Sequence, residues 1–296
     1  MAKWKRFANS LRLRLAIHLS NVDPTKAASE AAAAVTAGVF TGSADNAQLM
    51  YLATSPNRNP IYNDAQGRDD YGMSKTFVDS LTSYADPRLP VFAQINPAGT
   101  GYQGLPNGLN DGEGTPIVNI SRFGAFWRST PNAPMYLLTY SEVLFLEAEA
   151  AERGWIPGGS AAAATYYTNA ITASLQQYGI GAAAITAYLG QAKVGYDAAG
   201  ANLAGHMNQI MYQKWVSLFM QGMESWTEVR RTRIPLLVPG TRAVFGAGVP
   251  GQIPERLPYD DNEAVLNAAN LAAAVSAQGF SAGNDIQKPL WFTGRQ

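Results

Sequence analysis

The 296-residue chain predicts a mainly α protein made of paired helices joined by long irregular loops. Three observations carry that expectation. Helix start and stop signals recur along most of the chain, strand signals are confined to short pieces that never alternate over a long run, and one segment, His206 to Thr232, reads as an amphipathic helix with a heavily aromatic inner face.

Taken in order, MAKWKRFANSLRLRLAIHLS places Trp4, Phe7, Ala8, Leu11, Leu15, His18 and Leu19 on one stripe, with Leu13 and Ile17 behind it. That pattern predicts an internal helix packed on two sides. Its basic residues are interleaved with the apolar ones and no small-residue cleavage site follows, so it is not a signal peptide. A solvated flank accounts for Lys3, Lys5, Arg6, Arg12 and Arg14 better than a membrane-surface helix does. A start in mid-core implies that an N-terminal part of the natural protein is missing.

Asp23-Pro24 supplies an N-cap and a proline at the first helical position for a helix through Ala37, stopped by Gly38. Ser74 to Tyr84 is a shorter helix ended by Asp86-Pro87. Thr139 and Glu142 form a capping box for a helix through Arg153, with Gly154 beyond it. The next helix, Ala161 to Tyr178, carries Ala163, Tyr167 and Ala170 at the spacing of the second helix of a tetratricopeptide unit, where small residues allow close approach and tyrosine fills the gap. Ala182 to Val194, the long segment from about Gly205, and Asn262 to Ala277 complete the helices, while Ile117 to Ile120 and Leu236 to Val238 are candidate strands.

Residues 41–134 differ in composition from the helical scaffold expected at 1–40 and 135–296. Prolines, glycines and asparagines alternate there with Tyr51, Tyr62, Tyr71, Tyr102, Phe123, Phe126 and Trp127. Disordered segments are poor in aromatics, so these are ordered loops and the first choice for ligand contact. An exposed Trp127 ring between Phe126 and Arg128 could stack on the apolar face of a pyranose while arginines and amides bond its hydroxyls, although packing on the scaffold is an equal reading.

Composition excludes several functions. Lys plus Arg and Asp plus Glu are equal at 22 each, so no overall field favours nucleic acid. The absence of cysteine removes disulfides, thiolate metal sites and thiol nucleophiles. Two histidines, His18 and His206, read as satisfied core or border residues, and no metal or cofactor is expected. Gly99 to Gly104 matches G-x-G-x-x-G without the flanking strand and helix that a dinucleotide site needs, and Gly279 to Gly283 matches G-x-S-x-G with no histidine after it. Glu142 and Glu149 share a helix face at a spacing open to an inverting acid pair, against the plainer reading of a cap and a solvated face. Asn110 to Glu113 lacks the spaced ligands of a calcium loop and reads as a turn.

Several segments resemble the SusD/RagB-like nutrient-binding outer-membrane lipoproteins of Bacteroidota. They are KWKRFANSLRLRLAIHLS, DNAQLMYLATSPNRNPIY, SKTFVDSLTSYADPRLPVFA, TYSEVLFLEAEAAERGW, QKWVSLFMQGMESWTEVRRTRIPLL, ERLPYDDNE and the closing GNDIQKPLWF, in family order across nearly the whole chain. The resemblance implies one tetratricopeptide-like domain over 1–296, incomplete at its N-terminus, that binds an oligosaccharide or other oligomeric nutrient without catalysis. It further implies delivery to a TonB-dependent, SusC-like outer-membrane transporter at the cell surface, although the lipid-bearing cysteine is missing. No family-wide binding motif maps onto the chain. Loop position and chemistry alone single out Trp127, Tyr102, Tyr62, Tyr71, Arg58 and Arg128 as ligand contacts. An intracellular helical-repeat scaffold and a helical-toroid glycosidase remain the alternatives.

Overall fold

The computed structural model describes residues 1–108, 116–240, 244–245, 249–250, 253–283 and 285–295. The Asn110 to Glu113 turn therefore lies outside the described residues. Helices dominate the remainder: α1 (Ala2–His18), α2 (Pro24–Ala37), α3 (Pro60–Ala65), α4 (Lys75–Ser83), α5 (Leu89–Phe92), α6 (Ala125–Arg128), α7 (Tyr140–Glu152), α8 (Gly159–Gln177), α9 (Ala182–Leu189), α10 (Leu203–Ser217), α11 (Gly222–Thr232), α12 (Asp261–Leu266) and α13 (Ala268–Ala277). β1 (Ala47–Leu49) pairs antiparallel with β2 (Met135–Leu138), and β3 (Val244–Phe245) with β4 (Val249–Pro250).

The predicted N-caps hold, the capping box only in half. Asp23 accepts from Lys26 N at 2.9 Å with Pro24 at the first helical position, and Thr139 Oγ1 accepts from Glu142 N at 3.2 Å, while the Glu142 carboxylate turns to Arg14. Gly154 and Gly179 follow α7 and α8 with φ of +73° and +75°, the left-handed turn that glycine adopts without steric cost. Ala163, Tyr167 and Ala170 are all buried where α8 meets α7, as the repeat spacing requires. Tyr167 closes that gap and donates its hydroxyl to Val194 O at 2.8 Å.

α7 lies at the centre. Every residue from Ser141 to Ala151 is buried, with α1 and α2 packed on one side and α8 and α10 on the other. The expected solvated face of Glu142 and Glu149 is thus wrong: both are fully buried, because α1 and α11 cover that side and answer the carboxylates with arginines. On α1 the buried positions are Ser10, Leu13, Ala16 and Ile17, whereas Trp4 and Leu15 of the anticipated inner stripe are exposed. The helix faces the core with the side that the pattern put at its back.

The segment from His206 to Thr232 is two helices, not one. The chain turns at Leu218–Gln221, where Met220 has φ of +69°. The turn inserts Phe219 against Phe77, Phe92 and Trp127, with ring centroids 4.8, 4.4 and 5.2 Å apart, and points α11 back at α10 and α7. Gln213, Ser217 and Glu228, which helical spacing puts opposite the aromatic face, are buried in consequence. Other departures are shorter. Ile117–Asn119 is a 3-10 turn, Leu236 to Val238 is not a strand, Ala182 to Val194 is α9 plus a 3-10 turn, and the last predicted helix breaks into α12 and α13 at Asn267.

Loops 69–75, 92–94, 101–105 and 120–124 are laced together by backbone hydrogen bonds, including Met73 N to Ser121 O, Leu105 N to Met73 O and Gln94 N to Arg122 O. Close approach depends on glycine at two crossings. A Cβ on Gly104 would lie 2.3 Å from Lys75 Cα, and one on Gly124 would lie 1.8 Å from Val91 O.

Candidate functional site

Four of the six predicted ligand residues lie on adjoining elements: Arg58 and Tyr62 at the start of α3, Tyr71 in the turn after it and Arg128 on α6. Asn59 caps α3 by accepting from Ile61 N at 2.8 Å, and α3 packs against α6. Beyond α3, Asp64 accepts from Asp69 N and Asp70 N through its carbonyl and carboxylate. Asp69 then receives both guanidinium nitrogens of Arg128, one of them at 2.8 Å, while Arg122 lies 3.5 Å from the same carboxylate. The hydrogen bond from Arg128 holds Asp69 below the usual carboxylate range, and Asp69 in turn raises Arg128.

Arg122 also donates to Tyr71 O at 3.1 Å, which fixes the backbone beneath the Tyr71 ring. Tyr71 is 53% exposed and meets Phe123 edge to face, with centroids 6.3 Å apart, so much of its side chain is open to solvent. At the start of α3, the Arg58 guanidinium sits 5.7 Å from the Tyr62 ring centroid and its Nε donates to Ala53 O. Arg58 also lines a cleft of about 690 Å³ with Tyr51, Asn57, Asn63 and the apolar Leu49 and Leu52. The arrangement offers an open aromatic ring, pre-oriented guanidinium donors and side-chain amides, the groups that bind a hydroxyl-rich ring.

The remaining two predicted residues lie apart from this surface. Trp127 is 1% exposed, wedged among Phe92, Phe126, Tyr178 and Phe219, and has no ring face to offer. α6 turns it inward because this side of the scaffold needs a large apolar filler. Tyr102 is half-buried and packed on the same aromatic core. Two clefts escaped the sequence reading. One, about 650 Å³, is lined by Phe77, Trp215 and Phe219, the last two from the aromatic side of the His206 to Thr232 segment. The other, about 890 Å³, lies between the end of α13 and the C-terminal tail beside Trp291. An isolated tryptophan near a chain end was its only legible signal.

The buried charges do different work. Glu149 and Glu228 both take hydrogen bonds from Arg231 at 2.7–2.9 Å, and Lys214 adds 2.9 Å to Glu228. Burial opposes ionisation, yet Arg231 and Lys214 hold Glu228 well below its usual value. Arg14 grips Glu142 with two bonds of 2.6 and 2.7 Å. With both carboxylates of the suspected acid pair buried and bonded, neither can reach a glycosidic oxygen. His18, Glu224 and Glu228 bring three donor atoms within 4.8 Å of one another, but Arg14, Lys214 and Arg231 already surround those carboxylates, a setting that repels a metal cation. His206 bonds Glu152 and Asp197 at 2.8 Å each, and these bonds outweigh burial to raise its pKa.

A helical-pair scaffold that presents an aromatic and arginine-bearing loop face, with its paired glutamates sealed inside, has the make-up of a ligand-binding protein. Residues 1–260 match the SusD-like family described as starch-binding and associating with the outer membrane, and the chain belongs to that family. No curated protein sequence matches it. Similar solved structures include a chitin-binding SusD homologue from Flavobacterium johnsoniae, at 27% identity and TM-score 0.83, covering 98% of this chain and 63% of that one. Another chitin-binding protein is similar at 28% identity and TM-score 0.76, with 99% and 65% covered. A SusD homologue from Bacteroides ovatus gives 27% identity and TM-score 0.84, with 99% and 66% covered. The chain thus spans about two thirds of the length of these relatives. Among the described residues no helix is long and apolar enough to cross a membrane.

Proposed function

We propose that the protein captures an oligosaccharide at the cell surface without cleaving it and passes it to a TonB-dependent, SusC-like outer-membrane transporter. The exposed Tyr71 ring beside the Asp69-anchored arginines carries this reading. A pyranose would lie on that ring, with its hydroxyls bonded by Arg122, Arg128 and, towards α3, Arg58 and the Asn57 and Asn63 amides. The two chitin-binding relatives favour β-linked N-acetylglucosamine oligomers as the first ligands to try.

Calorimetry of the folded chain against chito- and malto-oligosaccharides tests it. One series should bind and stay intact, and Tyr71→Ala should weaken it by about tenfold, the usual cost of losing a central aromatic contact. Absence of binding across the panel, or release of shorter sugars, would overturn the proposal. Delivery is checked separately, by whether a neighbouring gene encodes a TonB-dependent barrel that co-purifies with this protein.

A further inference from the structure

We infer that the cleft beside Trp291 is a second saccharide site, selective for acidic sugars. It rests on its own geometry and does not require the Tyr71 face to bind anything. Its volume is about 890 Å³, and Trp291 on its rim is 70% exposed, the most open tryptophan after Trp4. Trp4 lines none of the clefts described here, whereas Trp291 stands over one containing polar side chains from three parts of the chain: Asn21, Gln278 and Lys288 with Arg295.

The walls are fixed. Asn21 Nδ2 donates to Arg231 O at 2.9 Å and to Thr293 O at 3.1 Å, tying the α1–α2 turn to both α11 and the tail. Gly294, at φ of +69°, lets the tail pass so close that a Cβ there would sit 2.9 Å from Asn21 O. Lys288 Nζ reaches Gly279 O across the cleft, and Trp291 and Phe292 meet edge to face at 6.5 Å. A tryptophan held in this way presents an indole face at little further entropic cost.

Charge selects the ligand. Lys288 and Arg295 line the cleft, and no Asp or Glu among the described residues does. Behind the wall, Arg233 and Arg295 both pair with the Glu255 carboxylate while Arg230 donates to the Glu255 backbone carbonyl at 2.7 Å, leaving an excess of positive charge. Asp285, the other acid nearby, turns its carboxylate to Ser281 and to the backbone of Gln287. A ring bearing a carboxylate meets both requirements: its apolar face lies on Trp291 and its anion faces Lys288. A uronic acid is such a ring.

The probes are a trimer of galacturonate and the neutral trimer of galactose with the same linkage, titrated into the intact chain at low and high salt. The acidic trimer should bind at least roughly tenfold more tightly, and the advantage should shrink as salt screens the cations. Trp291→Ala should weaken the acidic trimer roughly tenfold and Lys288→Gln should abolish most of its preference, while Tyr71→Ala leaves both unchanged. Trp291 is exposed, so its replacement leaves the core intact, and an unaltered melting curve confirms this. Equal affinity for the two trimers, no measurable binding, or binding indifferent to Trp291→Ala would each overturn the inference. Loss on Tyr71→Ala would assign the acidic sugar to the other face and overturn it as well.

Discussion

At the scale of single residues, Glu147 shows how position on a central helix changes a side chain. It lies on α7, is 7% exposed and gains no cation, so burial lifts its pKa to about 7. Its folded-state pKa exceeds the unfolded value of about 4.3, hence the unfolded chain holds the proton less tightly and stability falls as pH rises between those values. Glu147→Gln removes the penalty. Thermal melts should show a gain of a few degrees at pH 8 that vanishes towards pH 4.5; a gain independent of pH would mean that packing, not charge, is responsible. Trp127 carries the complementary lesson. Its neighbours in sequence left an open ring and a packed one equally balanced, and only its contacts with Phe92, Tyr178 and Phe219 reveal it as filler.

At the scale of elements, the α7–α8 pair is the repeat-like unit, and its closeness depends on small residues. Ala163 and Ala170 are fully buried between the two helices. Ala163→Leu should force them apart and cost about 1–3 kcal/mol in urea unfolding; a neutral result would show that the interface is slack. The same elements explain what could be read in advance. The ends of α2, α7 and α8 are set by caps and glycines only a few residues away, so they were legible. The break between α10 and α11 was not, since Met220 gives no local stop signal and the turn exists to place Phe219 in a distant aromatic cluster. Likewise β1 and β2 are 3 and 4 residues long, and their pairing joins segments too far apart for a local pattern to announce.

At the scale of the whole molecule, Arg231 ties α11 to α7, to Ser20 beyond α1 and, through Glu228, to α10. Glu228 and Glu149 are held below their unfolded values, so their contribution is present above about pH 4.3 and is lost as pH falls through the folded values. Acid unfolding should accordingly be cooperative below that pH. Arg231→Met should cost on the order of 3 kcal/mol at neutral pH, because two buried carboxylates each lose a partner and keep only Arg153 (Glu149) and Lys214 (Glu228), and much less in acid; an equal cost at pH 3 and pH 7 would refute the electrostatic account.

By itself, the sequence determined the helical class, most helix ends and the family, since each rests on short-range chemistry or on segment order. Tertiary structure decided which aromatics are open, which glutamates are sealed and where clefts form. Those properties belong to surfaces that meet across tens or hundreds of residues: Tyr71 stays exposed while it packs on Phe123 from 52 positions away, and Glu149 is no acid because Arg231 arrives from 82 positions away.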